Sequence, residues 1–264
     1  MATHESALWP PRYDVFGVGI SAATYNTARD AVFAAAATGR PFCTTHLAVH
    51  GLIEATRHAD LRDALNQFDM VAPDGQPVRH ALNLLYRTGL ADNCRGPVLM
   101  PLVCERAAKE AVPVYLYGST QAVIDALCRN LTERYPGLII AGAEPSLFRP
   151  LTAEEDRELA ERVNGSGARI LLLGLGCPLQ ERFAYAHRET FNTVQMCVGA
   201  AFDFQAGNKK MAPAWMTRHS LEWLYRLCQE PRRLFTRYFV TNSLFMLKLL
   251  PYALRLRKPA GRRE

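Results

Sequence analysis

The segment Ala168-Arg169-Ile170-Leu171-Leu172-Leu173-Gly174-Leu175-Gly176 decides the fold. Its centre is a short, unbroken apolar run that a glycine follows directly. Such runs are typical of strands that are buried on both faces of a parallel sheet. In the next segment, Cys177–Phe183, Pro178 stands where helices often begin, because the first turn of a helix does not use that N–H. We therefore predict a buried strand followed directly by a helix.

Polar residues follow this strand and the next one. Gln180 and Glu181 fall in the first turn of the predicted helix, and Asp203 comes just after a second predicted strand at residues 193–199. In open parallel sheets, ligands bind at the carboxyl ends of the strands. Gln180 is thus a candidate substrate-binding residue. Asp203, between Phe202 and Phe204, is either a site residue or a structural carboxylate that hydrogen-bonds to the backbone.

Strand and helix patterns alternate through the first 208 residues, which predicts an α/β fold with a Rossmann-like parallel sheet flanked by helices. The predicted helices in this part are Tyr25–Thr38, His46–Ala59, Leu99–Glu110, Gln121–Tyr135 and Thr152–Asn164. After Gly207 only helical patterns remain, at residues 215–229 and 232–256. We therefore divide the chain into an α/β core, residues 1–208, and a C-terminal helical appendage, residues 209–264.

The appendage carries the positive charge of the chain. Of 31 basic and 25 acidic residues, nine basic residues and one acidic residue lie after Glu230, which leaves 22 and 24 in the rest. Its second helix would place the apolar residues Phe235, Phe239, Met246 and Leu250 near one face, with basic residues near another. A basic amphipathic helix of this kind is typical of attachment to an anionic membrane surface. The alternative is an ordinary helix packed on the core.

Composition limits the remaining classes. The chain has 264 residues, of which 49% are hydrophobic, enough for a large core. Its seven cysteines show no C-x-x-C spacing, which favours reduced thiols in the cytoplasm over a disulfide framework or a zinc cluster. Residues 1–12 lack the apolar segment of a signal peptide. We therefore expect a cytoplasmic protein attached peripherally to the inner face of the membrane.

Asp74 is a further candidate site residue. It follows the predicted strand Phe68–Ala72 in the sequence Pro73-Asp74-Gly75. Asp-Gly is often only a turn. At the carboxyl end of a strand, however, a carboxylate can serve as a general base.

Two further motifs have weaker functional interpretations. The segment Gly17–Ala22 imitates a dinucleotide-binding fingerprint, but the next predicted strand, Pro41–Thr45, carries no acid for a ribose, so a plain turn is favoured. His46, His50, Glu54 and His58 are spaced by four residues. On one helix they would share a face, which could bind a metal; a solvated polar face is the favoured interpretation, because spacing alone does not set ligand geometry.

Several motifs together resemble the TagA/WecG/CpsF glycosyltransferases, glycosyltransferase family 26. The resemblance spans about residues 14–240. It rests on these segments, which occur in the family's order: Thr44, Pro73-Asp74-Gly75, Val114–Ser119, Gly174–Glu181, Gly199–Gly207, Ala212–Trp215, Leu221–Leu227 and Glu230–Arg233.

The resemblance implies an inverting enzyme that moves an N-acetylmannosamine-type sugar from a UDP donor to a polyprenyl-diphosphate-linked sugar, for a cell-surface polysaccharide. By the same resemblance Asp74 is the catalytic base, Thr44 and His46 position a sugar, and Gln180 holds the donor. The chain departs from the family pattern at three positions. His46 stands where Asn is usual, Asn93 where Arg is frequent, and Leu179 where Lys is frequent, while Arg95 lies two residues from Asn93.

The chain contains no Asp-x-Asp motif, so we expect neither a metal nor a cofactor. Guanidinium groups pair well with phosphate, so Arg226, Arg233 and Arg237 of the appendage are the candidates for binding the diphosphate. Arg95 is a further candidate substrate-binding residue, and the sequence leaves open whether it replaces the family's arginine. Transfer of glucose or another hexose remains an alternative, as does a non-catalytic membrane-bound scaffold. No nucleic-acid motif is present, so nucleic acid is not an expected partner. The sequence leaves open whether the chain forms a homo-oligomer.

Overall fold

The computed structural model describes residues 9–219 and 221–257, without the side chains at positions 214, 218, 233, 237 and 255–257. The centre is a six-stranded parallel sheet in the order β4-β3-β8-β7-β5-β6. Its strands are β3 (Phe42–Leu47), β4 (Met70–Pro73), β5 (Val114–Gly118), β6 (Ile140–Glu144), β7 (Ile170–Gly174) and β8 (Val194–Cys197). The predicted α/β class with a parallel sheet flanked by helices is confirmed.

Helices follow or precede each of these strands. They are α1 (Tyr25–Thr38), α2 (Val49–Arg57), α3 (Ala59–Asn66), α4 (Gln76–Tyr86), α5 (Gly96–Lys109), α6 (Gln121–Arg134), α7 (Ala153–Gly165), α8 (Leu179–Ala186) and α9 (Ala201–Gln205). The C-terminal helices are α10 (Ala214–Arg218), α11 (Glu222–Gln229) and α12 (Pro231–Arg257). The helix predicted at residues 215–229 is therefore two helices.

Strand β7 lies inside the sheet, between β5 and β8. Ile170 and Leu172 pack into the core on one face, while Leu171 and Leu173 pack into the core on the other. Both faces are covered by helices, so every position of the strand has to be apolar, which is why the run is unbroken. This placement confirms the buried strand predicted from the sequence.

The predicted helix His46–Ala59 is wrong at both ends. His46 belongs to β3, where it pairs with Ala72 of β4, and α2 begins only at Val49. His58 has an extended backbone between α2 and α3 (φ −121°, ψ 103°). Pairing with β4 keeps the chain extended through Leu47 and overrides the four-residue spacing of the histidines. The proposed row of His and Glu side chains therefore does not share one helix face.

The segment with the dinucleotide-like motif is an antiparallel hairpin outside the main sheet, formed by β1 (Arg12–Val15) and β2 (Val18–Ser21). Its two turn residues, Phe16 and Gly17, have φ of 59° and 88°, as a tight hairpin turn requires. The next helix begins only at Tyr25. A phosphate-binding strand, turn and helix are not formed here, and the plain turn is confirmed.

The long helix α12 packs one side against the body. Leu234, Phe245 and Leu249 are buried, and the Tyr252 hydroxyl donates to the carbonyl of Asp14 (3.3 Å). The residues predicted to form an apolar face, Phe235, Phe239, Met246 and Leu250, are each more than 60% exposed. No helix in the described part of the chain is long and apolar enough to cross a membrane. The domain boundary at residue 208 stays a prediction.

Candidate active site

Asp74 lies directly after β4, at the carboxyl edge of the sheet. Its main-chain N–H donates to the carbonyl of Leu47 at the end of β3 (3.1 Å). The next residue, Gly75, has φ of 82°, a left-handed conformation that glycine adopts without strain, and α4 begins after it. The sharp turn from strand to helix leaves the Asp74 carboxyl at the strand end, where the sequence predicted it.

Asn93 and Cys94 hold this turn in place. In the amide orientation that satisfies both of its polar atoms, the buried Asn93 side chain accepts from the Gly75 N–H (2.9 Å) and donates to Asp92 (2.7 Å). The Cys94 N–H donates to the carbonyl of Pro73 (2.8 Å). In the sequence, Asn93 was noted only because arginine is frequent at this position in the family. In the structure, its side chain stabilises the turn that carries Asp74. Gly75 is 18 residues away from Asn93 in the chain, so no local signal could have found this role.

A pocket opens over Asp74. One wall comes from the α/β body and the other from the C-terminal helices. The lining residues are Asp74, Gln76, Asn93, Arg95, Thr217, Glu222, Trp223, Arg226 and Tyr238. Of the predicted site residues, the pocket brings together Asp74, Arg95 and Arg226. Thr217, Glu222, Trp223 and Tyr238 were not predicted.

Charges of both signs meet in this pocket. Burial raises the pKa of the Asp74 carboxyl, while Arg226 and, to a smaller extent, Arg95 lower it, and the net shift is upward. Arg95 is itself buried (8% exposed) and forms an ion pair with Glu222 of α11. Desolvation thus disfavours the charged form of the Asp74 carboxyl, whereas the two guanidinium groups favour it. A carboxylate in this setting suits the role of a general base.

Thr44 and His46 lie on one face of β3, next to this turn. His46 Nδ1 is 3.0 Å from the carbonyl oxygen of Cys94, so Nδ1 carries the hydrogen of that bond. Its Nε2 and the Thr44 hydroxyl are buried without a hydrogen-bond partner among the described residues. Burial lowers the pKa of His46 to about 4, although the Cys94 carbonyl opposes this shift. His46 is therefore neutral at physiological pH.

Gln180 lies outside the pocket lining, at the start of α8 near the end of β8. Its Nε2 donates to Glu181 Oε1 (3.0 Å), which also accepts from the Thr45 hydroxyl (2.7 Å). Gln180 and Glu181 are both buried, and burial raises the pKa of the Glu181 carboxyl. Thr45, on the opposite face of β3 from Thr44, was not predicted to take part in the site.

The remaining predicted site residues are placed differently. Asp203, on α9, is not part of the pocket lining and pairs with Lys209 (3.6 Å), which also pairs with Glu230 (3.1 Å). Arg233 and Arg237 belong to the first part of α12, next to the pocket residue Tyr238, but their side chains lie outside the described part of the structure. The substrate-binding role of all three stays a prediction.

Within residues 9–219 and 221–257, no group of three or more His, Cys, Asp or Glu side chains could hold a metal ion. The expectation of a metal-independent reaction stays a prediction. The arrangement supplies a carboxylate, two guanidinium groups and several unpaired polar atoms at one edge of a parallel sheet. That set can remove a proton from a hydroxyl and stabilise a leaving phosphate.

Comparison with known proteins agrees with this chemistry. The model of the family described as "Glycosyl transferase WecG/TagA/CpsF family" matches residues 13–259. Two similar proteins carry the name N-acetylglucosaminyldiphosphoundecaprenol N-acetyl-beta-D-mannosaminyltransferase. One, from Bacillus subtilis (strain 168), is 30% identical over 181 residues, and one, from Bacillus spizizenii, is 29% identical over 181 residues. Each alignment covers 68% of this chain and 68% of the relative. With the family match spanning nearly the whole described chain, the protein belongs to the WecG/TagA/CpsF family of glycosyltransferases.

Proposed function

We propose that this glycosyltransferase moves N-acetylmannosamine from UDP to a sugar, N-acetylglucosamine, that is linked through a diphosphate to a polyprenyl lipid. The names of the two Bacillus relatives support the acceptor and the transferred sugar. One structural observation carries the proposal: Asp74, Arg95 and Arg226 line a single pocket at the carboxyl edge of the sheet. The product would enter the synthesis of a cell-surface polysaccharide.

In the proposed reaction Asp74 takes the proton of the acceptor hydroxyl. The hydroxyl oxygen attacks the anomeric carbon, the bond from that carbon to the UDP oxygen breaks, and its electron pair leaves with UDP. A single displacement of this kind inverts the anomeric centre. Because burial raises the pKa of Asp74, the carboxylate is a stronger base than an exposed aspartate, which favours proton removal.

The leaving diphosphate needs positive charge near it. Arg226 and Asp74 line the same pocket, and Arg95 forms an ion pair with Glu222. Phosphate oxygens can replace the Glu222 carboxylate on Arg95, because a guanidinium pairs with either group. Arg233 and Arg237 are proposed to add to this charge from α12. Thr44 and His46, beside the Asp74 turn, are proposed to position a sugar, and Asp203 to contact substrate from α9.

The lipid-linked acceptor places the reaction at a membrane. The exposed residues Phe235, Phe239, Met246 and Leu250 of α12 are proposed to insert among lipid head groups. Basic residues of the C-terminal segment would add attraction to the anionic cytoplasmic leaflet. The protein would then be a cytoplasmic enzyme that attaches to the inner membrane face without spanning it.

A donor panel tests the proposal. The protein is incubated with a short-chain lipid-diphosphate N-acetylglucosamine acceptor and, in turn, the UDP derivatives of N-acetylmannosamine, N-acetylglucosamine and glucose. We expect acceptor-dependent UDP release with UDP-N-acetylmannosamine at a rate well above the other two. A preference for UDP-glucose would replace the proposed sugar. Vesicle binding without UDP release from any donor would favour a non-catalytic scaffold.

A further inference from the structure

The Gln180 amide has a fixed polarity. Its Nε2 donates to Glu181 Oε1 (3.0 Å), and the Thr45 hydroxyl donates to the same oxygen (2.7 Å). With no proton on Glu181 Oε1, a reversed amide would place its carbonyl oxygen against an oxygen that already accepts a hydrogen bond, and the two acceptors would repel. Glu181 is completely buried and Gln180 nearly so, which leaves no water to relieve that repulsion. The amide nitrogen therefore points to Glu181.

As a consequence, the carbonyl oxygen of Gln180 is left without a donor among the described residues. It points to Gly199, just beyond the end of β8, where an added Cβ would lie 3.2 Å from it. Gly199 is partly exposed and carries no side chain over the amide. A buried acceptor without a donor destabilises the free protein, and a ligand that supplies a donor removes that cost.

His46 presents a second unpaired acceptor close by. Its Nδ1 donates to the carbonyl of Cys94, so the Nε2 of the neutral ring can only accept, and it too has no partner within the part of the chain that the structure describes. Gly96 and Val198 lie between the His46 ring and the Gln180 amide. An added Cβ at Gly96 would lie 3.4 Å from the His46 ring and 2.9 Å from the carbonyl oxygen of Val198, the residue before Gly199. Gly96 also follows the pocket residue Arg95.

We propose that Glu181 and Thr45 are positioning residues, which hold Gln180 so that its carbonyl oxygen accepts a hydrogen bond from a hydroxyl or amide N–H group of the transferred sugar. The inference rests on the proposed function, because the ligand is taken to be a nucleotide sugar. Phosphate oxygens only accept, so they fit the arginines of the pocket and not the carbonyl oxygen of Gln180 or Nε2 of His46. Hydrogen-bond acceptors of the site thus recognise the sugar, whereas hydrogen-bond donors recognise the diphosphate.

The test compares the binding of UDP and of UDP-N-acetylmannosamine by calorimetry. Glu181→Gln makes position 181 able to donate as well as accept, so the Gln180 polarity is no longer imposed. Thr45→Val removes the hydroxyl that holds the Glu181 carboxyl. Each change should weaken binding of the nucleotide sugar about tenfold, the effect of losing about one hydrogen bond, and leave UDP affinity unchanged.

Three further single variants and one double variant distinguish a positioning role of Thr45 from a loss of folded structure. Thr45→Ser keeps the hydroxyl and should bind like the native protein. Thr193→Val removes a different buried threonine hydroxyl, which has no hydrogen-bond partner among the described residues and lies at the opposite end of the sheet, and it should change neither affinity. Gln180→Leu should weaken binding of the nucleotide sugar by itself, and adding Thr45→Val to it should cost nothing more, because Thr45 acts through Gln180.

Two results would overturn the inference while leaving the proposed function intact. One is native affinity of Gln180→Leu for the nucleotide sugar. The other is evidence that Thr45 is merely structural, namely an equal loss of UDP and nucleotide-sugar affinity in Thr45→Val or additive losses in the double variant. If the native protein binds UDP but gains nothing from an attached sugar of any kind, the proposed function fails along with the inference.

Discussion

Replacing Asp74 by asparagine isolates its role as a base. The main-chain bond from Asp74 to Leu47 (3.1 Å) and the hold of Asn93 on Gly75 (2.9 Å) do not involve the carboxyl group. Burial raises the pKa of this carboxyl, so its charge at neutral pH lowers the stability of the folded state. Asp74→Asn should therefore fold and melt at the native temperature or slightly above it.

Turnover should nevertheless fall by about 100-fold or more, the scale for losing a general base, which corresponds to about 2.7 kcal/mol or more of activation free energy. UDP affinity should stay the same or rise, because a negative charge beside Arg226 is gone. The assay is UDP release with the short-chain acceptor, together with UDP calorimetry and a melting curve. Asp125→Asn is the matched control, because Asp125 lies on the exposed side of α6, where it accepts a hydrogen bond from Gln121. Near-native turnover of a folded Asp74→Asn protein would remove Asp74 from the mechanism.

Three other predictions concern the pocket and the exposed apolar residues of α12. Arg226→Ala should lower turnover and move the acidic limb of the kcat/KM profile to higher pH, because Arg226 lowers the pKa of Asp74 and the base must be unprotonated; an unmoved limb would separate the two residues. Activity should survive EDTA, since arginines are proposed to stabilise the diphosphate; loss that Mg²⁺ or Mn²⁺ restores would contradict this. Changing both Phe235 and Phe239 to Ser should weaken binding to anionic vesicles and spare turnover on a short soluble acceptor, whereas equal loss of both would mean that these residues support the fold.

Local chemistry in the sequence was sufficient to predict several elements. Helix α1 has the predicted bounds because Thr24 caps its first turn and Gly39 ends it with φ of 66°. Thr152 and Glu155 likewise form a capping box at the start of α7, one residue from the predicted start of that helix. Buried strand β7 was evident because both of its faces are covered. In each case the sequence signal, a cap or an unbroken apolar run, lies within a few consecutive residues.

Long-range contacts determined what the sequence did not predict. His46 continues β3 because it pairs with β4, and this overrides the helical spacing of the histidines. The bond from Thr45 to Glu181 spans 136 residues, so no local pattern announces it. The second wall of the pocket, with Glu222, Trp223 and Tyr238, depends on how the C-terminal helices fold back over Asp74. The family resemblance indicated Asp74 and Gln180 but not these partners.

We propose that the enzyme transfers a sugar to a lipid-linked acceptor by direct displacement at the pocket that contains Asp74. The most direct measurement is mass spectrometry of the lipid product after incubation with UDP-N-acetylmannosamine, followed by NMR of the new glycosidic bond. We expect one added N-acetylhexosamine per acceptor, one UDP released per bond formed, and an anomeric configuration opposite to that of the donor. Retention of the donor configuration, or UDP release with an unmodified acceptor, would contradict it.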